Sequence, residues 1–445
     1  MNILALLQPL RPIVSQTTMR QMSVLMGAML AMTGRVTMLG MARWTDKGGS
    51  YRSVQRFFQT TIPWIQVMWA FFRDHLHQAG DEYLLVGDEC VVSKSGKETH
   101  GLGRFYAPLW GRPVSSVALF ALSLVNPRER RSYPVMSEQV PSQEGVNREV
   151  KPRTRRKKAA AQSSAGRPGR PPGRRNSIKT EVTLTPELTR IQTMVKQFLA
   201  VVDQRLKLTY LVLDGHFGNN NALQMVRQCG LHLVSKLRHD AALYFPYQGD
   251  NKRCKYGAKV AYDNLPASCW QQTIIDDGVH TDIYQATLRH KAFAQPLNVV
   301  ILLKTRPTTG AQARVLLFTS DLALNWSQVL EYYQLRFQIE FNFRDAKQYW
   351  GLEDFMNVKK TPVTNAINLS FLMVNVSQVL LQDLRREDPA VNVLDLKAHY
   401  RGHKYVAEVL KLLPQKPDPI FTEAIFDRIS RLGRIHPPQP ALCPS

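Results

Sequence analysis

The feature that most constrains this chain is an aspartate in the middle of a strongly apolar run. Residues 83–92 read Tyr-Leu-Leu-Val-Gly-Asp-Glu-Cys-Val-Val, bounded by polar segments, which is strand-like. Asp88 lies inside that run, where a buried charge is costly unless it is compensated. A second apolar run, Leu208 to Asp214, ends on a carboxylate. Either Asp alone says little, because a strand-end Asp is commonly a turn former. Together they suggest a site shared across neighbouring strands.

The elements around these residues have a definite order. Three runs, Tyr83–Val92, Gly103–Trp110 and Ser116–Val125, read as an antiparallel meander. A helix follows from Thr185 to Gln204, opened by Thr-Pro-Glu. Then come the strand ending at Asp214, a helix Asn219–Cys229 and a strand Leu231–Leu237. This β-β-β-α-β-α-β order predicts an α/β fold with a ribonuclease H-like core. Residues 239–320 hold short β-type runs and read as a β-rich insertion, and a long helix is expected from about Trp326 to Trp350. The expected division is a helical N-terminal DNA-binding region (1–78), a core made of 79–238 and 321–360, the insertion (239–320), and a helical C-terminal region (361–445).

Charge narrows the partners. The 445 residues carry 58 Lys and Arg against 35 Asp and Glu, a net +23, which points to a polyanion, nucleic acid first. A membrane surface would need an apolar anchor. The best apolar stretch, Met22 to Ala42, is broken by Arg35 and reads as a Met-rich buried helix, so no membrane is expected. The N-terminus lacks the pattern of a signal peptide. The five cysteines are scattered, with no C-x₂-C pair, against a disulfide framework or a Cys zinc site and in favour of a reducing compartment.

Two segments suit DNA contact. Between Val150 and Lys179 there are eleven Lys and Arg and no acid, so a disordered basic loop is expected over 145–180. Its Gly-Arg-Pro core carries Arg167 and Arg170, which could enter a minor groove or touch phosphates without selectivity. Near the N-terminus a Gly-containing turn precedes a helix bearing Arg52 and Arg56. That arrangement suits a helix-turn-helix-like contact or a plain solvated helix.

On the expected long helix, Tyr333, Arg336, Glu340 and Lys347 are spaced Y-x₂-R-x₃-E-x₆-K. In a continuous helix they fall within roughly 60° of arc. Such a face would offer a carboxylate to metal ions, with Arg and Lys for phosphate. It is also what an ordinary wet helix face can look like.

These motifs resemble bacterial insertion-sequence transposases of the Asp-Asp-Glu class with a Y-R-E-K signature. The resemblance rests on that helix, on Gly87-Asp88-Glu89 followed by Lys94, Lys97 and His100-Gly101-Leu102-Gly103, and on Asp214-Gly215-His216-Phe217. It implies that Asp88, Asp214 and Glu340 bind Mg²⁺, with Mn²⁺ able to substitute. It also implies cleavage of transposon ends and joining of the 3′-OH to target DNA. Tyr333, Arg336 and Lys347 would contact end DNA, with Lys94, Lys97 and Arg104 as further DNA-binding candidates. The implied partner is double-stranded DNA, both terminal inverted repeats and target, with a dimer on paired ends in a bacterial, nucleoid-associated cytoplasmic setting. Trp270 and Phe337 could stack a base but read more simply as core packing, and His100 and His216 are poor ligands for Mg²⁺. A different ribonuclease H-like endonuclease and a non-catalytic DNA-binding derivative stay open.

Overall fold

A computed structural model describes residues 3–45, 49–107, 110–141, 178–202, 206–251, 253–415 and 417–436. Arg167, Arg170 and most of the expected basic loop lie outside these residues. The first half of the sheet comprises β1 (Leu84–Ser93), β2 (Gly103–Ala107), β3 (Arg112–Asn126), β4 (Arg131–Gln139), β5 (Tyr210–Val212) and β6 (His232–Leu237). β3 lies antiparallel between β1 and β4, while β1, β5 and β6 run parallel. The resulting order β4-β3-β1-β5-β6, with helices between β4 and β5 and between β5 and β6, is the ribonuclease H-like arrangement anticipated from the element order.

The meander differs from its expected form. The run from Gly103 gives a short arm, β2, paired with the first residues of β3. The third strand of the core is instead β4, at the sheet edge. Six more strands follow: β7 (Leu243–Pro246), β8 (Tyr256–Lys259), β9 (Trp270–Asp276), β10 (Val279–His290), β11 (Leu297–Arg306) and β12 (Ala311–Thr319). They continue the core sheet, because β12 pairs antiparallel with β6 from Leu316 opposite Leu237 to Thr319 opposite Val234. Among the described residues the outcome is one 12-stranded sheet.

The helices are α1 (Ile3–Leu6), α2 (Gln16–Ala31), α3 (Met38–Trp44), α4 (Tyr51–Gln59), α5 (Trp64–His75), α6 (Pro186–Val201), α7 (Asn220–Gln228), α8 (Trp326–Leu335), α9 (Gln338–Gln348), α10 (Lys360–Glu387), α11 (Val393–Leu412) and α12 (Pro419–Ser430). Their starts follow local chemistry. Ser15, Thr185 and Asn219 accept backbone N–H groups at the first turns of α2, α6 and α7, satisfying donors that a helix start leaves unpaired. Over 360–386 the chain is long and apolar enough to cross a membrane, but 89% of its apolar window is buried inside the protein, so α10 is a core helix. Buried Asn365 on α10 accepts from the Trp64 indole and donates to the carbonyls of Phe58 and Thr60, which ties the N-terminal helices to the core.

The long helix expected at 326–350 is two helices. Arg336, Phe337, Ile339 and Glu340 bond back three residues, to Tyr333, Gln334, Arg336 and Phe337. This local tightening separates α8 from α9.

Candidate active site

Register brings the two aspartates together. On the parallel pair β1 and β5, Leu85 lies opposite Leu211 and Val86 opposite Val212. Continued for two residues, this register sets Asp88 beside Asp214, about 4.8 Å being the usual separation of neighbouring strands. The approach depends on Gly87, where a Cβ would lie 2.8 Å from the Phe120 ring and 2.9 Å from the Leu213 side chain. Asp214 then begins a 3₁₀ turn, Gly215–Phe217, and its carboxylate accepts the His216 N–H at 3.1 Å.

Glu340 arrives from α9. It lines, with Asp88, Asp214, Arg336 and Lys347, a cavity of about 980 Å³. The Arg336 guanidinium lies between two of the acids. One nitrogen is bonded to Asp88, and the other is 3.7 Å from Glu340. Asp88 also accepts the Glu89 N–H at 2.8 Å. Burial pushes the Asp88 carboxyl above its ordinary range; Arg336 pulls it down, and the negative charge of Asp214 pushes it up. Glu340 is likewise raised by burial, against the pull of Arg336 and with a further push from Asp88. These mutual effects are what carboxylates sharing one centre produce.

Among the described residues no group of three or more His, Cys, Asp and Glu side chains is drawn tightly enough to hold a metal ion. The cation seated among the acids is the Arg336 guanidinium, whose Nε is buried without a hydrogen-bond partner. An all-oxygen donor set suits a hard divalent cation, provided that Arg336 moves off Asp88.

The four residues of the helix signature are divided between α8, the break at Arg336 and α9. Glu340 and Lys347 line the acid cavity, Tyr333 lines a neighbouring cavity of about 1080 Å³, and Arg336 and Asp214 border both. Lys347 donates to the Val91 carbonyl at 2.8 Å and pairs with Glu353 at 3.5 Å, holding α9 against β1. Lys94 faces a separate cleft. Its ammonium sits 3.3 Å over the Phe355 ring and bonds the carbonyls of Glu353 and Phe355, and burial brings its pKa to about 8. Lys97 borders the same cleft, and Arg104 is exposed on β2, bonding the Pro113 carbonyl. Arg52 and Arg56 are exposed on one face of α4. His100 is exposed, and His216 lies 3.4 Å from Glu187. Trp270 and Phe337, read as core packing, are 49% and 50% exposed; both stand at surface positions, on the edge strand β9 and at the α8–α9 break. Sequence reading missed Arg344, one turn beyond Glu340, and the exposed pair Tyr106 and Trp110, all three of which line the acid cavity. For Arg344 the i, i+4 spacing from Glu340 was an available signal.

A mixed α/β protein with this strand order, and with acidic residues on β1, after β5 and on α9, has the fold of a ribonuclease H-like nuclease. The chain belongs to the DDE superfamily endonuclease family, whose match spans residues 9–292. The matched stretch contains Asp88 and Asp214, and Glu340 lies beyond it. Among curated proteins, none matches the chain.

Proposed function

We propose that the protein is a DNA transposase that cuts transposon ends and joins the freed 3′-OH to target DNA, using Mg²⁺, or Mn²⁺ in its place. The observation that carries this reading is the convergence of Asp88, Asp214 and Glu340 on one cavity within a chain of the DDE endonuclease family. Those three side chains would hold the divalent ions. When bound, such ions activate a water or hydroxyl for attack on phosphorus and stabilise the leaving oxygen. Arg336, released from Asp88, would engage a phosphate beside the scissile bond with its guanidinium fork. Lys347 keeps α9, and so Glu340, positioned against β1 through its bond to Val91.

The proposed partner is duplex DNA with terminal inverted repeats, paired in a dimer, and the strong positive charge supports a DNA partner through counterion release. The test is Mg²⁺-dependent cleavage of labelled DNA bearing the element's ends, wild type against Glu340→Gln. End-specific nicking and strand joining that disappear in the variant support the reading. Cleavage without any requirement for the ends would leave a less specialised endonuclease, and binding without cleavage a DNA-binding protein.

A further inference from the structure

A different flank of α9 borders a second cavity, of about 880 Å³, into which Arg131, Arg344 and Arg385 converge from three elements. Arg131 opens β4, Arg344 comes from α9, and Arg385 from the last turn of α10. The hairpin turn before β4 helps to set Arg131 in place. Arg130 adopts a left-handed backbone, with φ of 53°, and Arg131 pairs in register with Asn126. Arg344 is held 3.0 Å from Asp345 and packs 4.8 Å from the Phe341 ring. Arg131 and Arg385 form no ion pair among the described residues, and Arg385 donates only to the Val391 carbonyl, at 3.0 Å. The positive charge of Arg131 adds to burial in lowering the affinity of Arg385 for its proton.

The one carboxylate described in that cavity, Asp345, is engaged by Arg344, so Arg131 and Arg385 are like charges held together without a counter-ion of their own and form a receptor for an anion. Guanidinium forks match phosphate oxygens in geometry as well as charge. Arg344 also lines the acid cavity, so the two cavities adjoin along α9. We propose that Arg131, Arg344 and Arg385 bind a backbone phosphate of the DNA strand where it leaves the carboxylate centre. This rests on the reading of DNA as substrate. The contact is to the backbone, and so positions the strand without reading its sequence.

The test measures binding of a fluorescent DNA duplex by the full-length protein, without divalent metal, over a series of salt concentrations. For the double variant Arg131→Gln, Arg385→Gln the slope of log affinity against log salt should become shallower by about 1, the loss of one phosphate contact. Arg131→Lys, Arg385→Lys should restore most of it. An unchanged slope in a glutamine variant that keeps its circular dichroism and Tm overturns the proposal. Should the double variant fail to fold, Arg385→Gln alone is compared with Arg385→Lys by the same criterion. A further overturning result is loss of stabilisation by inorganic phosphate with DNA binding intact, which would mark a site for a free anion. Failure of the wild type to cleave DNA would remove the nuclease reading without altering this comparison of slopes.

Discussion

Asp88 on β1 and Asp214 just past the end of β5 each lie two residues beyond the paired Val86 and Val212 of these adjacent parallel strands. The sheet itself therefore sets the spacing of the two acids. A rigid strand holds Asp88 more exactly than a loop would, Asp214 follows β5 directly and is fixed by its bond from the His216 N–H, and α9 then has only one further group to supply.

Gly87 makes that geometry possible, since a Cβ there would meet both Phe120 and Leu213. Gly87→Ala should destabilise the fold by about 1–3 kcal/mol, the usual cost of overpacking a core. It should also weaken divalent-metal binding. Urea unfolding alongside Mn²⁺ titration checks both.

The raised Asp88 and Glu340 carboxyls give a pH dependence of definite sign. Each binds its proton at higher pH in the folded chain than its ordinary value of 3.8 or 4.5. Between the raised and ordinary values the folded state holds more protons than the unfolded one, so these groups cost stability at neutral pH and that cost disappears on acidification. Glu340→Gln should therefore have a modestly higher Tm than wild type at pH 7, and the gap should close as the pH falls through the raised value of Glu340. Metal affinity should be lost across the same window, because a proton displaces the metal. Thermal melts and metal titrations along a pH series test the two trends.

Arg336 is the cation seated between Asp88 and Glu340. Arg336→Gln should lower the metal-free Tm, because it leaves the crowded carboxylates uncompensated. The stabilisation conferred by Mg²⁺ should be larger in this variant than in wild type. Melting curves with and without Mg²⁺ report the difference directly.

Much of the centre was legible because it is local. An apolar strand interrupted by Asp88 and another ending on Asp214 are patterns of a few residues, and the alternation of strands and helices around them specified the core. What was missed depends on distant pairing. β4 contains Pro134, which argues against a central strand. It is tolerated because β4 lies at the sheet edge and Pro134 falls at the register shift opposite Ser123. The break at Arg336 carries no Gly or Pro; it coincides with the bond from Arg336 to Asp88, 248 residues away in sequence. Nor does any short window reveal that β12 pairs with β6, which turns the β-rich insertion into a continuation of the core sheet.

Asn365 is another contact invisible to periodicity, lying on an apolar helix while serving Trp64 and two backbone carbonyls. Asn365→Ala leaves those groups buried and unpaired, each costing about 1–3 kcal/mol. Destabilisation of at least about 3 kcal/mol is expected from three such groups, with unfolding of the N-terminal helices detectable by hydrogen exchange of Val54–Phe58.

The central claim is that Asp88, Asp214 and Glu340 form one metal centre, and Glu340 tests it hardest because it lies outside the family match. The direct measurement is Mn²⁺ binding by electron paramagnetic resonance, comparing wild type with Asp88→Asn, Asp214→Asn and Glu340→Gln. Each substitution should weaken binding by more than the roughly 10–100-fold that loss of an outer partner of a ligand costs. Wild-type affinity in a folded Glu340→Gln protein would contradict the account, leaving Asp88 and Asp214 without the third acid assigned to them.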